Sequence, residues 1–265
     1  MRVDINSDMG ESFGPYRIGA ESGRLMPHLT SANVACGFHA GDPRVMRDTV
    51  RLARAFGVGV GAHVGFPDRV GFGRRAMALS GEEIATDVLY QIGALYAFCR
   101  EAGVPLRHVK AHGALYNLAE RDEAVARALV EGVTRFGAPL VLVAPEGSAM
   151  AQAARAAGVP LAREAFADRA YRPDGTLMPR REPGSVITDP GEVARRAVRL
   201  VTEGTVESAG GGTVAVGVDT ICVHGDTPGA EVLAAAIRQA LAQAGVEVAP
   251  FPSPAGDPPP PSQVA

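Results

Sequence analysis

Lysine is almost missing from this chain of 265 residues: of 26 Lys and Arg residues, only Lys110 is a lysine. Where a surface charge suffices, the chain uses arginine, so the retained lysine indicates a position with a more specific requirement. The lysine ammonium is a compact point charge whose pKa responds to burial, whereas guanidinium is a broad fork that stays charged. Lys110 is therefore a candidate functional residue, and the alternative is a surface lysine kept by drift.

Cysteine is also scarce, and the three cysteines, Cys36, Cys99 and Cys222, lie far apart with no CxxC pair. This spacing argues against a disulfide framework or a structural zinc site and fits a reducing compartment. Cys36 and Cys222 lie in strand-like runs, where a small buried thiol is the ordinary interpretation.

An excess of positive charge is absent as well. The net charge of -3 gives no electrostatic footprint for nucleic acid or an anionic membrane surface. No apolar run approaches the ~18 residues of a membrane span, and the N-terminus shows no hydrophobic signal region. We therefore expect a cytoplasmic protein that binds neither nucleic acid nor membranes.

Seven β-branched runs alternate with helical runs, which predicts a parallel sheet, either open or closed into a barrel. Helix starts are marked by Asp42-Pro43, the Ser80/Glu83 capping box, Asp189-Pro190 and Thr227-Pro228. We expect one domain over 1–251 and a disordered Pro-rich tail over 252–265. The predicted strands cover 2–5, 31–37, 58–63, 107–111, 139–144, 160–165 and 218–223.

Polar residues cluster where the predicted strands end, and parallel strands bring their carboxyl ends to one rim. Some of these residues have structural alternatives: an Asx turn for Asn6, loop-orienting backbone bonds for His39 and His224, and capping for Asp42 and Asp226. Glu164 and Arg169 could form a local ion pair. His28 and His108 fall outside the pattern. The rim residues are Asn6, Asp8, Glu11, His39, His63, Lys110, His112, Glu164, Asp168, Arg169 and His224.

The chemistry available to this set is narrow, because the sequence has no GxSxG elbow, HExxH helix, GxGxxG fingerprint or P-loop. Gly210–Gly212 is interpreted as a flexible turn. Carboxylates, histidines and one lysine suit water activation and oxyanion stabilisation. A carboxylate with two histidines could instead hold a divalent metal, with Asp8, His63 and His112 as the first trio to test. Hydrolysis at a carbonyl carbon, as in an amide or ester, is the predicted reaction.

Six segments carry a family resemblance. In order and spacing they resemble the LamB/YcsF family, understood as the A subunit of prokaryotic 5-oxoprolinase, from residue 1 to about 251. Two departures are Ala111, where the family often has Pro, and Val64-Gly65-Phe66, where Pro-Ser-Tyr is common. The segments are Asp4–Gly14, Asn33–Asp42, Gly61–His63, Val109–Asn117, Glu164–Tyr171 and Cys222–Asp226.

The resemblance implies an α/β fold, a distorted seven-stranded β/α barrel similar to glycoside hydrolase and deacetylase barrels. It implies ATP-dependent opening of 5-oxo-L-proline to L-glutamate together with partner subunits B and C. Since no nucleotide fingerprint is present, we expect ATP, the co-substrate, to bind largely to the partners. Whether a divalent metal takes part stays open.

The same resemblance suggests roles for the rim residues. Lys110 would hold the substrate carboxylate or the developing oxyanion, with Asp8, His63 and His112 handling water and protons. Two alternatives remain: a freestanding metal-dependent carbohydrate deacetylase, and a non-catalytic substrate-binding or regulatory subunit. The residues expected to line and orient the substrate are Asn6, Glu11, His39, Glu164, Asp168, Arg169 and His224.

Overall fold

Parallel strands alternate with helices along the chain. The computed structural model describes residues 1–19, 22–225, 227 and 229–256. The strands are β1 (Arg2–Met9), β2 (Ser31–Ala35), β3 (Gly59–Val64), β4 (Leu106–Ala111), β5 (Val141–Ala144), β6 (Leu161–Phe166), β7 (Thr205–Glu207), β8 (Thr213–Ala215), β9 (Thr220–Cys222) and β10 (Glu247–Val248). The helices are α1 (Ser22–Leu25), followed by a 3-10 turn (Met26–His28), α2 (Pro43–Phe56), α3 (Gly81–Ala102), α4 (Gly113–Ala119), α5 (Glu123–Arg135), α6 (Ala149–Ala156), α7 (Pro190–Glu203) and α8 (Ala230–Gln243).

The sheet closes on itself. Strands β1 to β6 pair in order, and β9 pairs in parallel with both β6 and β1, with Asp4 opposite Thr220. This pairing completes a seven-stranded barrel, and the expected barrel fold is confirmed. Strand β10 adds to the start of β1, where Arg2 faces Glu247.

The predicted helix starts are confirmed at three places. Asp42 accepts a hydrogen bond from Val45 N at the start of α2. The Ser80/Glu83 capping box opens α3, and Asp189 caps α7. Helix α8 begins at Ala230 after Gly229; the candidate cap Asp226 and the helix-start residue Pro228 lie outside the described residues.

Two features were not predicted from the sequence. Strands β7 and β8 form an antiparallel hairpin outside the barrel, with Glu207 opposite Thr213. The residues Gly210–Gly212 belong to its turn, rather than to a simple connection before the last barrel strand. Strand β10 is the other addition. Among the described residues, no helix combines the length and apolar character needed to cross a membrane.

Successive side chains of a strand point to opposite faces, so each barrel strand has an inner and an outer row. In β1 the buried apolar side chains of Val3, Ile5 and Met9 alternate with buried Asp4 and Asn6. The apolar row belongs to the main hydrophobic core, while the polar row crosses the barrel interior. The interior of this barrel is therefore largely polar towards its carboxyl end.

One interior layer depends on a glycine. Gly61 of β3 faces His108 of β4 in the strand register. A Cβ at position 61 would overlap the imidazole of His108. The absent side chain of Gly61 thus makes the room in which His108 lies, fully buried beneath the rim.

The amino end of the barrel is covered by the segment after β10. Phe251 is buried against Val141, Val143 and Ala162. Arg107 donates to the carbonyl oxygens of Phe251, at 2.6 Å, and of Gly256. Residues 252–256, which the sequence assigns to the tail, thus continue to pack against the barrel, while 257–265 lie outside the described residues.

Candidate active site at the carboxyl end of the barrel

The barrel brings most of the predicted rim residues into one buried network. Asp8, His63, Lys110 and Glu164 project inward from β1, β3, β4 and β6, while His39 and His112 follow β2 and β4 in the connecting loops. Their side chains are linked across the interior by hydrogen bonds and ion pairs. Parallel strands that end at one rim produce this convergence, as the sequence predicts.

Lys110 is the centre of the network. Its Nζ atom lies 2.7 Å from Glu164 Oε1 and 3.1 Å from Asp8 Oδ1, and the side chain is 3% exposed. The same ammonium donates to Asn6 Oδ1 at 3.3 Å and to Cys222 Sγ at 3.2 Å. A buried cation is thus held between two carboxylates.

The pKa values follow from this arrangement. Burial favours the neutral form of Lys110, but the neighbouring Asp8 and Glu164 carboxylates outweigh burial and raise its pKa well above the usual value. Burial also acts against the Asp8 carboxylate, yet the charges of His63 and Lys110 hold the pKa of Asp8 well below its usual value. Lys110 and Asp8 are therefore both charged at neutral pH.

Amide side chains fix the position of the carboxylates. Asn33 Nδ2 donates to Asn6 Oδ1 at 2.7 Å and to Asp8 Oδ1 at 2.9 Å. Asn6 Nδ2 in turn donates to Thr220 Oγ1 at 2.7 Å and to Glu164 Oε1 at 3.3 Å. Asn6 lies inside β1 and spans the interior, so the Asx-turn interpretation is wrong.

A second cluster lies beside the first, made of Glu11, His39, His63 and His112. Oε1 of Glu11 is 3.3 Å from His39 Nε2, 3.6 Å from His112 Nδ1 and 4.0 Å from His63 Nε2. The ring atoms His63 Nε2 and His112 Nδ1 are 3.0 Å apart. His39 stacks on His112 with ring centroids 3.8 Å apart. His63 joins the clusters, because its Nε2 is also 3.3 Å from Asp8 Oδ2.

Two histidines of this second cluster are neutral at physiological pH. Burial lowers the pKa of His112 to about 3, with the charge of His63 as a further cause. Burial likewise places the pKa of His39 well below its usual value. His39 is fully buried, and neither ring nitrogen makes a hydrogen bond within the described residues, so the loop-orienting interpretation is wrong.

Asp168 and His224 occupy another side of the rim. His224 Nδ1 lies 2.8 Å from Asp168 Oδ2, so His224 is oriented by a carboxylate rather than by backbone, and its ring stacks on Phe166. Burial opposes the Asp168 carboxylate, but His224 outweighs burial and lowers the pKa of Asp168.

Arg169 does not pair with Glu164. Its guanidinium donates to the carbonyl oxygens of Ser185 and Met178, at 3.2 and 2.6 Å. It therefore holds the loop after β6, while Glu164 belongs to the Lys110 network.

Sequence reasoning missed side chains one layer below the rim. His108 Nε2 donates to Asn33 Oδ1 at 2.8 Å, so the histidine left out of the pattern supports the carboxylate-fixing amide. Tyr116 OH donates to Glu164 Oε2 at 2.9 Å. The two-residue period of a strand could have revealed His108, because His108, Lys110 and His112 are two residues apart along β4 and its end and therefore share one face.

The chain is similar to known proteins over nearly its whole length. The model of the LamB/YcsF family matches residues 3–256. The chain belongs to the LamB/YcsF family. A 5-oxoprolinase A subunit from Pyrococcus furiosus is 53% identical over 251 residues, covering 95% of this chain and 98% of the relative. The protein of the same name from Thermus thermophilus is 55% identical over 251 residues, covering 95% and 100%.

A solved structure agrees with the fold. The lactam utilization protein from Thermus thermophilus superposes with a TM-score of 0.91 at 55% sequence identity. The superposition covers 95% of this chain and 100% of that one. Both the length and the architecture of this chain therefore match those of its relatives.

The two clusters can perform different chemical tasks. The Lys110 ammonium, buried in a low-dielectric interior, can hold an anionic or developing negative oxygen. The imidazole of His63, whose Nε2 lies 3.3 Å from Asp8 Oδ2, can accept a proton from water. The site therefore combines oxyanion stabilisation with general-base groups, which is the machinery of hydrolysis at a carbonyl carbon.

Proposed function

We propose that this chain is the A subunit of an ATP-dependent 5-oxoprolinase that converts 5-oxo-L-proline to L-glutamate together with B and C subunits. The observation that carries the proposal is the similarity, over 95% of the chain, to proteins named as the A subunit of 5-oxoprolinase. The buried Lys110 network supports it, since the substrate offers a carboxylate and a lactam oxygen, two groups that an ammonium binds.

Coupling to ATP has a chemical reason. A five-membered lactam is stabilised by resonance, and ring closure competes with hydrolysis. Transfer of the γ-phosphoryl group from ATP to the lactam oxygen releases ADP and gives an imidate with a good electrophilic carbon. One water adds to that carbon, the ring C–N bond breaks as nitrogen is protonated, and a second water hydrolyses the resulting acyl phosphate to glutamate and phosphate.

In this scheme the residues of the chain bind, orient and move protons. Lys110 holds the negative oxygen of the substrate. A proton taken from water at His63 Nε2 would lie next to Asp8 Oδ2, 3.3 Å away, whose charge stabilises the imidazolium. His112, kept neutral because burial lowers its pKa to about 3, lies beside it with Nδ1 3.0 Å from His63 Nε2 and can accept a hydrogen bond there. The remaining rim residues are proposed to line and orient the substrate, Arg169 by holding the loop after β6. The others are Asn6, Glu11, His39, Glu164, Asp168 and His224.

The B and C subunits are proposed to bind most of the nucleotide, since this sequence has no nucleotide-binding fingerprint. The isolated chain should accordingly bind ATP only weakly. Micromolar ATP binding by the purified chain, measured by calorimetry, would contradict this part of the proposal.

The experiment is reconstitution with purified B and C subunits. Glutamate formation and ADP release are measured with oxoproline, with each component omitted in turn. We expect turnover only when this chain, both partners, ATP and oxoproline are all present. Oxoproline-dependent turnover by the partners alone would remove this chain from the reaction. Deacetylation of N-acetyl sugars by the chain alone would favour the deacetylase alternative instead.

A further inference from the structure

The second cluster has the composition of a metal site. One ligand atom from each of Glu11, His39, His63 and His112 can be chosen so that all four lie within 4.8 Å of one another, and all four residues are buried. The three distances from Glu11 Oε1 to the histidine nitrogens are 3.3, 3.6 and 4.0 Å, and His63 Nε2 lies 3.0 Å from His112 Nδ1. Ligands about 2.0–2.1 Å from a tetrahedral zinc ion are about 3.3 Å apart, within this range.

Backbone carbonyls fix which ring nitrogens carry protons. His63 Nδ1 lies 3.2 Å from the carbonyl oxygen of Lys110, and His112 Nε2 lies 2.8 Å from that of Phe72. A carbonyl oxygen can only accept, so both of these nitrogens donate N–H. In neutral rings the opposite nitrogens, His63 Nε2 and His112 Nδ1, then present lone pairs to each other.

Facing lone pairs 3.0 Å apart, as on neutral His63 and His112, repel unless a proton or a metal cation lies between or beside them. Metal-ligating histidines typically donate their other N–H to a carbonyl or carboxylate, which orients the ring as seen here. His39 adds another ligand, because its ring nitrogens make no hydrogen bond within the described residues and its Nε2 lies 3.3 Å from Glu11 Oε1. Glu11 adds a negative charge beside the three rings.

Two loop glycines set the positions of the His39 and His112 rings. A Cβ on Gly65 would come within 2.8 Å of His39 Nδ1. A Cβ on Gly73 would come within 2.7 Å of His39 and 2.9 Å of His112. Two glycines therefore allow backbone to press against the rings and hold them towards Glu11.

We propose that Glu11, His39, His63 and His112 form a binding site for one first-row divalent transition-metal ion, of the zinc class. Imidazole nitrogens with a single carboxylate suit Zn²⁺ and its neighbours in the series, rather than Mg²⁺ or Ca²⁺. This site goes beyond the oxoprolinase reaction and does not depend on it; when the ion is bound, His63 Nε2 is a ligand, so the role of proton acceptor given to that atom in the proposed function applies to the metal-free chain. A metal held by these residues would supply Lewis-acid chemistry close to Asp8, which contacts His63.

The test is metal binding by the purified full chain without partners or substrate. After chelator treatment, the protein is titrated with Zn²⁺ and, separately, with Co²⁺, whose visible absorption reports its coordination. We expect about one ion per chain, a Zn²⁺-dependent rise in Tm that chelator reverses, and Co²⁺ bands of a nitrogen and oxygen site. No saturable binding of either ion would overturn the proposal.

Substitutions locate the ion. Glu11→Gln and His63→Gln should each weaken Zn²⁺ binding at least about tenfold, by loss of a ligand, while His28→Gln, a histidine outside the cluster, should leave it unchanged. Unchanged affinity in folded Glu11→Gln protein would place the metal elsewhere and overturn the assignment. If His63→Gln fails to fold, the Zn²⁺ affinity of Glu11→Gln and the Co²⁺ spectrum of the wild type still decide whether the ion binds at this cluster. Because no partner or oxoproline is used, failure here is distinguishable from failure of the proposed function.

Discussion

Lys110 Nζ lies 2.7 Å from Glu164 Oε1, and both side chains are almost completely buried. Bringing such a pair out of water costs several kcal/mol per ion, so it is weak evidence of stabilisation by itself. Asp8 adds a second carboxylate at 3.1 Å, which gives this small volume an excess of negative charge. The two carboxylates therefore keep the ammonium protonated and in place.

Replacing Lys110 by arginine tests the need for a compact ammonium. Asn6, Asp8, Glu164 and Cys222 already surround Nζ, so a guanidinium must displace one of them or shift off the reacting oxygen. We expect Lys110→Arg to fold, as judged by circular dichroism and Tm, and to lose at least about 100-fold in kcat in the reconstituted enzyme. A folded and fully active Lys110→Arg protein would mean that the single lysine was kept by drift.

Removing the charge at Lys110 should destabilise the protein in a pH-dependent manner. Lys110→Met leaves the Asp8 and Glu164 carboxylates buried without their cation, at a cost of about 3–5 kcal/mol near neutral pH. Their folded-state pKa values then rise above the unfolded values, so the penalty shrinks as pH falls and the carboxylates take up protons. Urea unfolding at pH 5 and pH 8 measures the difference.

The double variant Lys110→Met/Glu164→Gln is the control for that experiment. It removes one of the two uncompensated charges while keeping the shape of the side chain. We expect it to recover a substantial part of the stability at pH 8 and little at pH 5. Equal losses in both variants at both pH values would show that lost packing, and not charge, causes the effect.

Asp4 gives a separate pH dependence at the amino end of the barrel. Burial raises its pKa to about 6 from the ordinary value of 3.8, against hydrogen bonds from Thr220, Thr30 and Ser31. Because the folded state holds the proton more tightly, its contribution is fully present below about pH 4 and is lost as pH rises through 6. The expected loss is about 3 kcal/mol.

Asp4→Asn removes this titration. We expect the difference in unfolding free energy between Asp4→Asn and wild type to move in favour of the variant between pH 4 and pH 7, as measured by urea denaturation. A difference that stays constant over this interval would mean that Asp4 titrates at its ordinary value in the folded state.

Truncation tests whether the segment after β10, which covers the amino end of the barrel, stabilises the fold. A chain ending at Pro250 loses Phe251, which packs on Val141 and Val143, and the Phe251 and Gly256 carbonyl acceptors of Arg107. We expect it to be less stable by at least ~3 kcal/mol, the usual cost of deleting a buried Phe. A chain ending at Gly256 keeps these contacts and is the matched control, which should unfold at a higher urea concentration than the chain ending at Pro250. Equal stability of the two truncations would contradict this role.

Much of this architecture follows from sequence periodicity. The alternation of β-branched and helical runs gives the seven barrel strands, and Asp42, Ser80 and Asp189 give helix starts that the structure confirms. The rim position of His63, Lys110 and His112 follows from strand ends alone. These properties are local, so a single sequence carries them.

Other properties depend on barrel closure and could not be deduced. Glu164 contacts Lys110 instead of nearby Arg169 because the interior side of β6 faces β4 across the barrel. His108 lies one layer below the rim, and a rule based on strand ends alone passes over it. The division of the rim into a lysine cluster and a histidine cluster depends on which side chains meet in three dimensions.

Because His108 occupies the space left by Gly61, the residue allowed at one of these positions depends on the residue at the other. Any larger residue at 61 is excluded while the imidazole at 108 remains, and a smaller residue at 108 leaves Asn33 without its donor. A side chain at position 61 therefore requires loss of the imidazole at 108, and we expect relatives with a residue other than glycine at 61 to have a smaller residue than histidine at 108.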